Sequence, residues 1–128
     1  MAWRNWYAWF GNVNQTRMEA AFDALAARTR SVVGRTGPAS FVDLGYTRAG
    51  LDDNWQAVGT GVNGSYHAAD GTPLVDTNRF PDMAAMVQHV HNAGLEAGWY
   101  LVCSTCSSTS PSFLRVTSDG TATPLSCE

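Results

Sequence analysis

Gly50-Leu51-Asp52-Asp53-Asn54-Trp55-Gln56 sets two adjacent carboxylates at the end of the run Tyr46-Thr47-Arg48-Ala49-Gly50-Leu51, which reads as one short strand. In an extended chain neighbouring side chains point to opposite faces, and neither Asp52 nor Asp53 has a basic residue within three positions to neutralise it. A strand ending in Asp-Asp before Trp-Gln has the make-up of a ligand site, polar groups gripping and the Trp55 ring flanking. Asp, Asn and Gly are also ordinary turn formers, so these residues taken alone read first as a loop. The rest of the chain decides between the two.

With 128 residues the chain is the size of one ordinary domain. Its 45% hydrophobic content and five tryptophans are those of a globular protein, and a net charge of −3 argues against nucleic acid or an anionic membrane as partner. No apolar run approaches the roughly 18 residues of a membrane span, and the opening Met1-Ala2-Trp3-Arg4-Asn5-Trp6 lacks the pattern of a signal peptide. All eight basic residues are arginine. The three cysteines, Cys103, Cys106 and Cys127, fall in the last 26 residues, an odd set that leaves one without a mate in the chain. The sequons Asn14-Gln15-Thr16 and Asn63-Gly64-Ser65 would suit a secreted protein.

Trp3, Trp6 and Trp9 recur three apart with Tyr7 and Phe10 among them, either a helical stripe or a strand running into an aromatic-lined loop. Both readings expect burial. The capping-box pattern Thr16-Arg17-Met18-Glu19, with Met18, Ala21, Phe22, Leu25 and Ala26 behind it, predicts a helix from about Gln15 to Arg30 that carries Arg28 and Arg30 in its last turn. Ser40 to Gly45 suggests a short helical turn. Residues 57–78, rich in Gly, Asn and Asp, form a long excursion with a hairpin turn at Asp70-Gly71. Pro81-Asp82 opens a second helix striped by Met83, Met86, Val87 and Val90 and stopped by Gly94. His89 and His91 are two apart and cannot share a helix face, so solvated surface is expected rather than a metal pair. Glu96 to Val102 is a third strand. The rhythm is that of a parallel α/β sheet whose strands read as buried on both faces. Beyond Val102, twelve of the 23 residues from Ser104 to Ser126 are Ser or Thr, with Pro111 and Pro124 among them, and that stretch reads as disordered.

Four stretches in this order resemble one family. Met1-Ala2-Trp3-Arg4-Asn5-Trp6 resembles its opening Met-Gly-Trp-x-x-Trp, and Leu51-Asp52-Asp53-Asn54-Trp55 its Leu-Asp-Asp-Cys-Trp strand end. Arg79-Phe80-Pro81 with the later His91-Asn92-Ala93-Gly94-Leu95 resembles its Arg-Phe-Pro and Val-His-x-x-Gly-Leu run, and Gly98-Trp99-Tyr100 its Gly-Ile-Tyr. The family is the α-galactosidases and α-N-acetylgalactosaminidases of glycoside hydrolase family 27, the melibiases. The resemblance implies a (β/α)8 TIM barrel with its site at the carboxyl ends of the strands, of which this chain supplies the first three strand–helix units. It divides the chain into residues 1–102, an incomplete barrel, and residues 103–128, a Ser/Thr-rich tail outside it. Such a barrel takes about 250 residues, so the resemblance implies a fragment or a truncated gene product. Position 1 falls on the family's motif Met, which in full-length members follows a signal peptide; they are secreted, lysosomal or vacuolar.

Residue by residue, the resemblance implies that Trp6 packs against the C6 edge of a galactose and that Asp52 and Asp53 accept from its 4- and 6-hydroxyls. Tyr100 would line the pocket floor, with Trp55 as a further candidate contact. The implied partner is an α-galactoside, with no cofactor and no metal. Two departures stand out. The family's Cys in Leu-Asp-Asp-Cys-Trp is Asn54 here, and the Cys commonly bonded to it is Gly11. The family's nucleophile lies in a Lys-Tyr-Asp motif, which a chain without lysine does not contain, and its acid/base carboxyl comes later still. The chain is therefore expected to recognise sugar without a catalytic pair, to be inactive alone, and to be aggregation-prone as half a barrel. Two alternatives are a stand-alone galactose-binding module and a redox or zinc protein centred on Cys103-Ser104-Thr105-Cys106. The last lacks both a following helix pattern and a second ligand pair.

Overall fold

The computed structural model of the chain describes residues 1–101, 112–116 and 122–125. The elements in order are β1 (Ala2–Arg4), α1 (Trp6–Trp9), α2 (Gln15–Ala26), β2 (Arg48–Leu51), α3 (Met83–Asn92) and β3 (Glu96–Leu101), then β4 (Ser112–Val116) and β5 (Ala122–Leu125). The first three strands are parallel neighbours, with Ala2, Arg48 and Glu96 in one register line and Arg4, Gly50 and Gly98 in another. This is an open sheet wound in one direction, with each strand beside the one before it.

Strand alternation divides the sheet chemically. Ala49, Leu51, Ala97 and Trp99 point one way and are buried with Met18, Phe22 and Leu25 of α2 and Met86, Val87 and Val90 of α3. The opposite face departs from the expectation of strands buried on both sides. There Arg48 pairs with Glu96 at 3.1 Å, and Arg4 lies across Gly50, where an added Cβ would come within 3.3 Å of Arg4 Cγ. Charge on that face, rather than apolar surface, meets solvent.

The aromatic opening resolves into both expected forms. β1 runs into the one-turn α1, Trp3 meets Trp9 edge-on at 6.1 Å, and Tyr7 and Phe10 are exposed. α2 is capped by Asn14, whose side chain accepts from Arg17 N–H at 2.9 Å, and not by Thr16. It also ends at Ala26, short of Arg30. No Gly or Pro marks that stop; tertiary contacts impose it. Arg28 reaches out to Asp43 at 2.9 and 3.0 Å, and Arg30 pairs with Ala39. Arg30 Nη1 still donates to the carbonyls of Ala24 and Ala27, so it satisfies the helix end from outside the helix.

The expected short turn is a 3-10 helix at Val42–Leu44, closed reciprocally by Ser40 N–H on Asp43 Oδ2 and Asp43 N–H on Ser40 Oγ. α3 begins and ends as its sequence predicts, with Asp82 accepting from Ala85 N–H at 2.8 Å and Gly94 at φ +78. His89 and His91 are less bland than solvated surface: His89 Nε2 sits 2.7 Å from Asp23 Oδ1, tying α3 to α2, and His91 Nδ1 is buried without a partner among the described residues. The excursion forms its hairpin turn, with Thr72 N–H on Asp70 Oδ1 and a bridge between His67 and Pro73.

Within the Ser/Thr-rich tail two described stretches are strands. β4 pairs antiparallel with β3, Trp99 opposite Leu114, and β5 pairs antiparallel with β4. Phe113, Leu114 and Val116 in β4 and the β-branched Thr123 in β5 are good strand formers despite the Ser/Thr-rich surroundings, and Pro124 sits on the edge strand, where a missing N–H is tolerated. The cysteines lie outside the described residues. Among the described residues no helix is long and apolar enough to cross a membrane.

Candidate functional site

Parallel register brings the carboxyl ends of β1, β2 and β3 to one rim of the sheet. Leu51 pairs with Trp99, so Asp52 and Tyr100 follow at the next level and, by alternation, lie on the face turned away from the helices. Trp6, just past β1, is half-buried and meets Phe10 edge-on at 5.8 Å. Phe10 adopts φ +47 and ψ −131, a positive-φ conformation rare for a bulky residue.

The carboxylates are fixed by a relay of hydrogen bonds. The fully buried Asn5 accepts from Asp52 N–H at 2.7 Å. Asp52 Oδ1 accepts from Asp53 N–H at 2.8 Å, and Asp53 Oδ1 accepts from Nε2 of the buried Gln56 at 3.0 Å. One oxygen of each carboxylate is thereby committed to the protein. Asp52 Oδ2 faces Arg4 Nη1 at 3.7 Å, longer than a hydrogen bond, from a side chain that is 18% exposed. Asp53 Oδ2 has no donor among the described residues. The sequence showed no base near in the chain; the structure brings Arg4 across from the neighbouring strand. Each carboxylate thus retains an oxygen able to accept from a hydroxyl.

Trp55 takes a different place from the other candidates. It is 5% exposed, within the core, and its indole N–H donates to the Tyr100 carbonyl at 2.8 Å. Asn54, at φ +74, turns the chain so that the ring after it goes inward. Asn5, Gln56 and Arg4 are the residues that reading the sequence for sites missed. A polar side chain immediately before Trp6 was the available signal for Asn5.

A second knot secures the rim. The Gly11 carbonyl accepts from Asn54 Nδ2 at 2.7 Å and from Arg79 Nη1 at 3.1 Å, and Arg79 Nε is bonded to Asp76 at 2.7 Å. That bond holds the Asp76 carboxyl below its ordinary range. A Cβ at Gly11 would fall 2.5 Å from Asn54 Nδ2, so the contact itself requires glycine. Asn54 and Gly11, the two positions at which the family resemblance implies a missing disulfide, are in direct contact through this hydrogen bond. An open cleft of about 530 Å³, lined by Asn54, Gln56, Leu74, Asp76, Asn78 and Arg79 among others, excludes both carboxylates of the pair. Among the described residues no three His, Cys, Asp or Glu side chains converge as a metal site.

No protein-family model matches the chain, and no curated protein sequence does. Solved structures do match. α-Galactosidase I from Mortierella vinacea is 28% identical with a TM-score of 0.60, over 77% of this chain and 21% of that one. The α-galactosidase from Saccharomyces cerevisiae, solved with raffinose, is 24% identical with a TM-score of 0.58, over 77% and 18%. A family 36 α-galactosidase from Geobacillus stearothermophilus shares the fold at 19% identity and a TM-score of 0.50, over 77% and 11%. The chain spans about a fifth of the length of the first of these. Over most of its own length, then, it resembles the α-galactosidases, as an open section of their catalytic barrel.

Proposed function

We propose that this chain is the sugar-recognition section of a retaining α-galactosidase. The observation that carries the reading is the Asp52–Asp53 pair at the rim of a parallel sheet resembling the α-galactosidases, each carboxylate with one oxygen bonded internally and the other without a hydrogen-bond donor among the described residues. In this reading Asp52 and Asp53 accept from the 4- and 6-hydroxyls of a terminal α-linked galactose, Trp6 packs on its apolar edge, and Tyr100 lines the floor. The axial 4-hydroxyl separates galactose from glucose, so the pair reads the sugar's identity. Retaining hydrolysis needs carboxyls about 5–5.5 Å apart across the scissile bond. Two consecutive residues bonded to each other cannot flank a bond in that way, so in this reading the pair recognises the sugar and is not the catalytic pair.

Titration of the purified chain with methyl α-galactoside and methyl α-glucoside tests this, followed by the amide signals of Asp52 and Asp53. Galactoside binding is expected, with glucoside weaker, and Asp53→Asn should cost on the order of 1.5–3 kcal/mol, the worth of a charge-assisted hydrogen bond. Equal binding of the two sugars, or indifference to Asp53→Asn, would overturn the reading. Turnover of an aryl α-galactoside, lost in Asp52→Ala, would overturn the assignment of recognition without catalysis.

One observation favours a second reading, a non-catalytic galactoside-binding module. The edge of β3, where a barrel would place its next parallel strand, is occupied by the antiparallel β4.

A further inference from the structure

The geometry points to Asn5 as the positioning residue of the carboxylate pair, an inference that rests on the galactoside reading of the same site. Asn5 stands between the ends of β1 and β2, 47 residues from its partner in sequence, and is fully buried. Only the oxygen of a carboxamide can accept from an amide N–H, so the bond from Asp52 N–H fixes which way the group is turned. Nδ2 is then buried with no acceptor among the described residues. Such an orphan donor is unfavourable, and an apolar side chain of similar volume would avoid it. What the amide supplies in return is a bond from the end of β1 that locates the Asp52 backbone.

From there the relay runs outward. Asp52 Oδ1 holds Asp53 N–H, and Asp53 Oδ1 is held by Gln56. A shift at Asn5 is passed to both oxygens left for a ligand, without Asn5 touching that ligand. Asn5 therefore sets the spacing and height of two acceptors that must meet two hydroxyls of one sugar ring together, a demand that a single acceptor would not make.

The test uses the whole chain and two variants. Asn5→Leu keeps the volume and removes the acceptor; Asn5→Asp keeps an acceptor oxygen. Amide hydrogen exchange at Asp52 and Asp53 is measured without sugar, and affinity is then measured with methyl α-galactoside and methyl α-glucoside. In Asn5→Leu, exchange at Asp52 should rise about tenfold, as for loss of one hydrogen bond. Galactoside affinity should fall on the order of tenfold or more, with the preference over glucoside narrowed, while α2 and α3 stay protected. Asn5→Asp should restore most of both. A Leu variant with wild-type exchange and affinity overturns the proposal, and so does an Asp variant as impaired as the Leu variant. If the Leu variant does not fold, Asn5→Asp decides in the same way: retained exchange and affinity support the role, loss of either overturns it. A wild-type chain that binds neither sugar while its Asp52 amide still depends on Asn5 refutes the galactoside reading and leaves the positioning role standing.

Discussion

The three parallel strands and the two antiparallel ones join the same sheet by different physics. A parallel neighbour requires a crossover, and here each crossover brings a helix: α2 between β1 and β2, α3 between β2 and β3. Those helices bury one face of the sheet and create the core. β4 and β5 pair antiparallel and need no crossover; they lengthen the hydrogen-bonded ladder from the edge of β3, and among the described residues no helix follows that strand. The contrast teaches that one sheet can combine strands tied together through helical crossovers with strands tied by ladder bonds to an antiparallel neighbour. It also predicts that the two regions respond unequally to damage.

The largest effect should come from the core. Phe22, 2% exposed between α2 and the sheet, should cost about 3–5 kcal/mol on replacement by alanine. Urea denaturation should show β4 and β5 lost in the same transition as α2 and α3. A hairpin that outlives the helices would break the comparison. Next is Leu114→Pro in β4, which has a neighbour on each side. Removing a ladder bond there should cost about 3 kcal/mol locally. Hydrogen exchange should quicken along β3 and β5 and stay slow in α2 and α3.

The smallest effect concerns pH. Arg28 first, and then the two Ser40 bonds, hold the Asp43 carboxyl well below the usual carboxylate range. A carboxyl with a lowered folded pKa lends stability that is complete above its unfolded value near 4, and that stability is lost as pH falls from there toward the folded pKa. Asp43→Asn should flatten a small slope of the thermal midpoint in that acid window and leave the slope at neutral pH unchanged. An unaltered acid slope would show the pair to be inert.

Legibility followed the locality of the cause. α3 was readable because its cap, stripe and stop are all written in Asp82, Met86, Val90 and Gly94. The strand ending in Asp52-Asp53 was readable because apolar residues give way abruptly to carboxylates. The start of α2 at Gln15 was readable, but its cap and its stop were not. Asn14 and Thr16 both offer N-cap chemistry two residues apart, and the C-terminal stop is set by Asp43 and Ala39, distant in sequence. The antiparallel strands were hidden by composition, since Ser, Thr and Pro dominate around them. Trp55 looked like a flanking ring because nothing in its own identity reveals that Asn54 adopts φ +74. The relay from Asn5 to Gln56 could not be read at all: its first bond joins strand ends 47 residues apart.

The bond from Asn54 to Gly11 carries a chemical consequence of its own. A disulfide at such a corner would contribute roughly 2–4 kcal/mol, where one hydrogen bond contributes about 1. It would also make the corner depend on an oxidant to close it and expose it to any thiol able to reopen it. An amide resting on a carbonyl exchanges no electrons. This corner closes as fast as the chain folds, and a reducing solution has no means of undoing it.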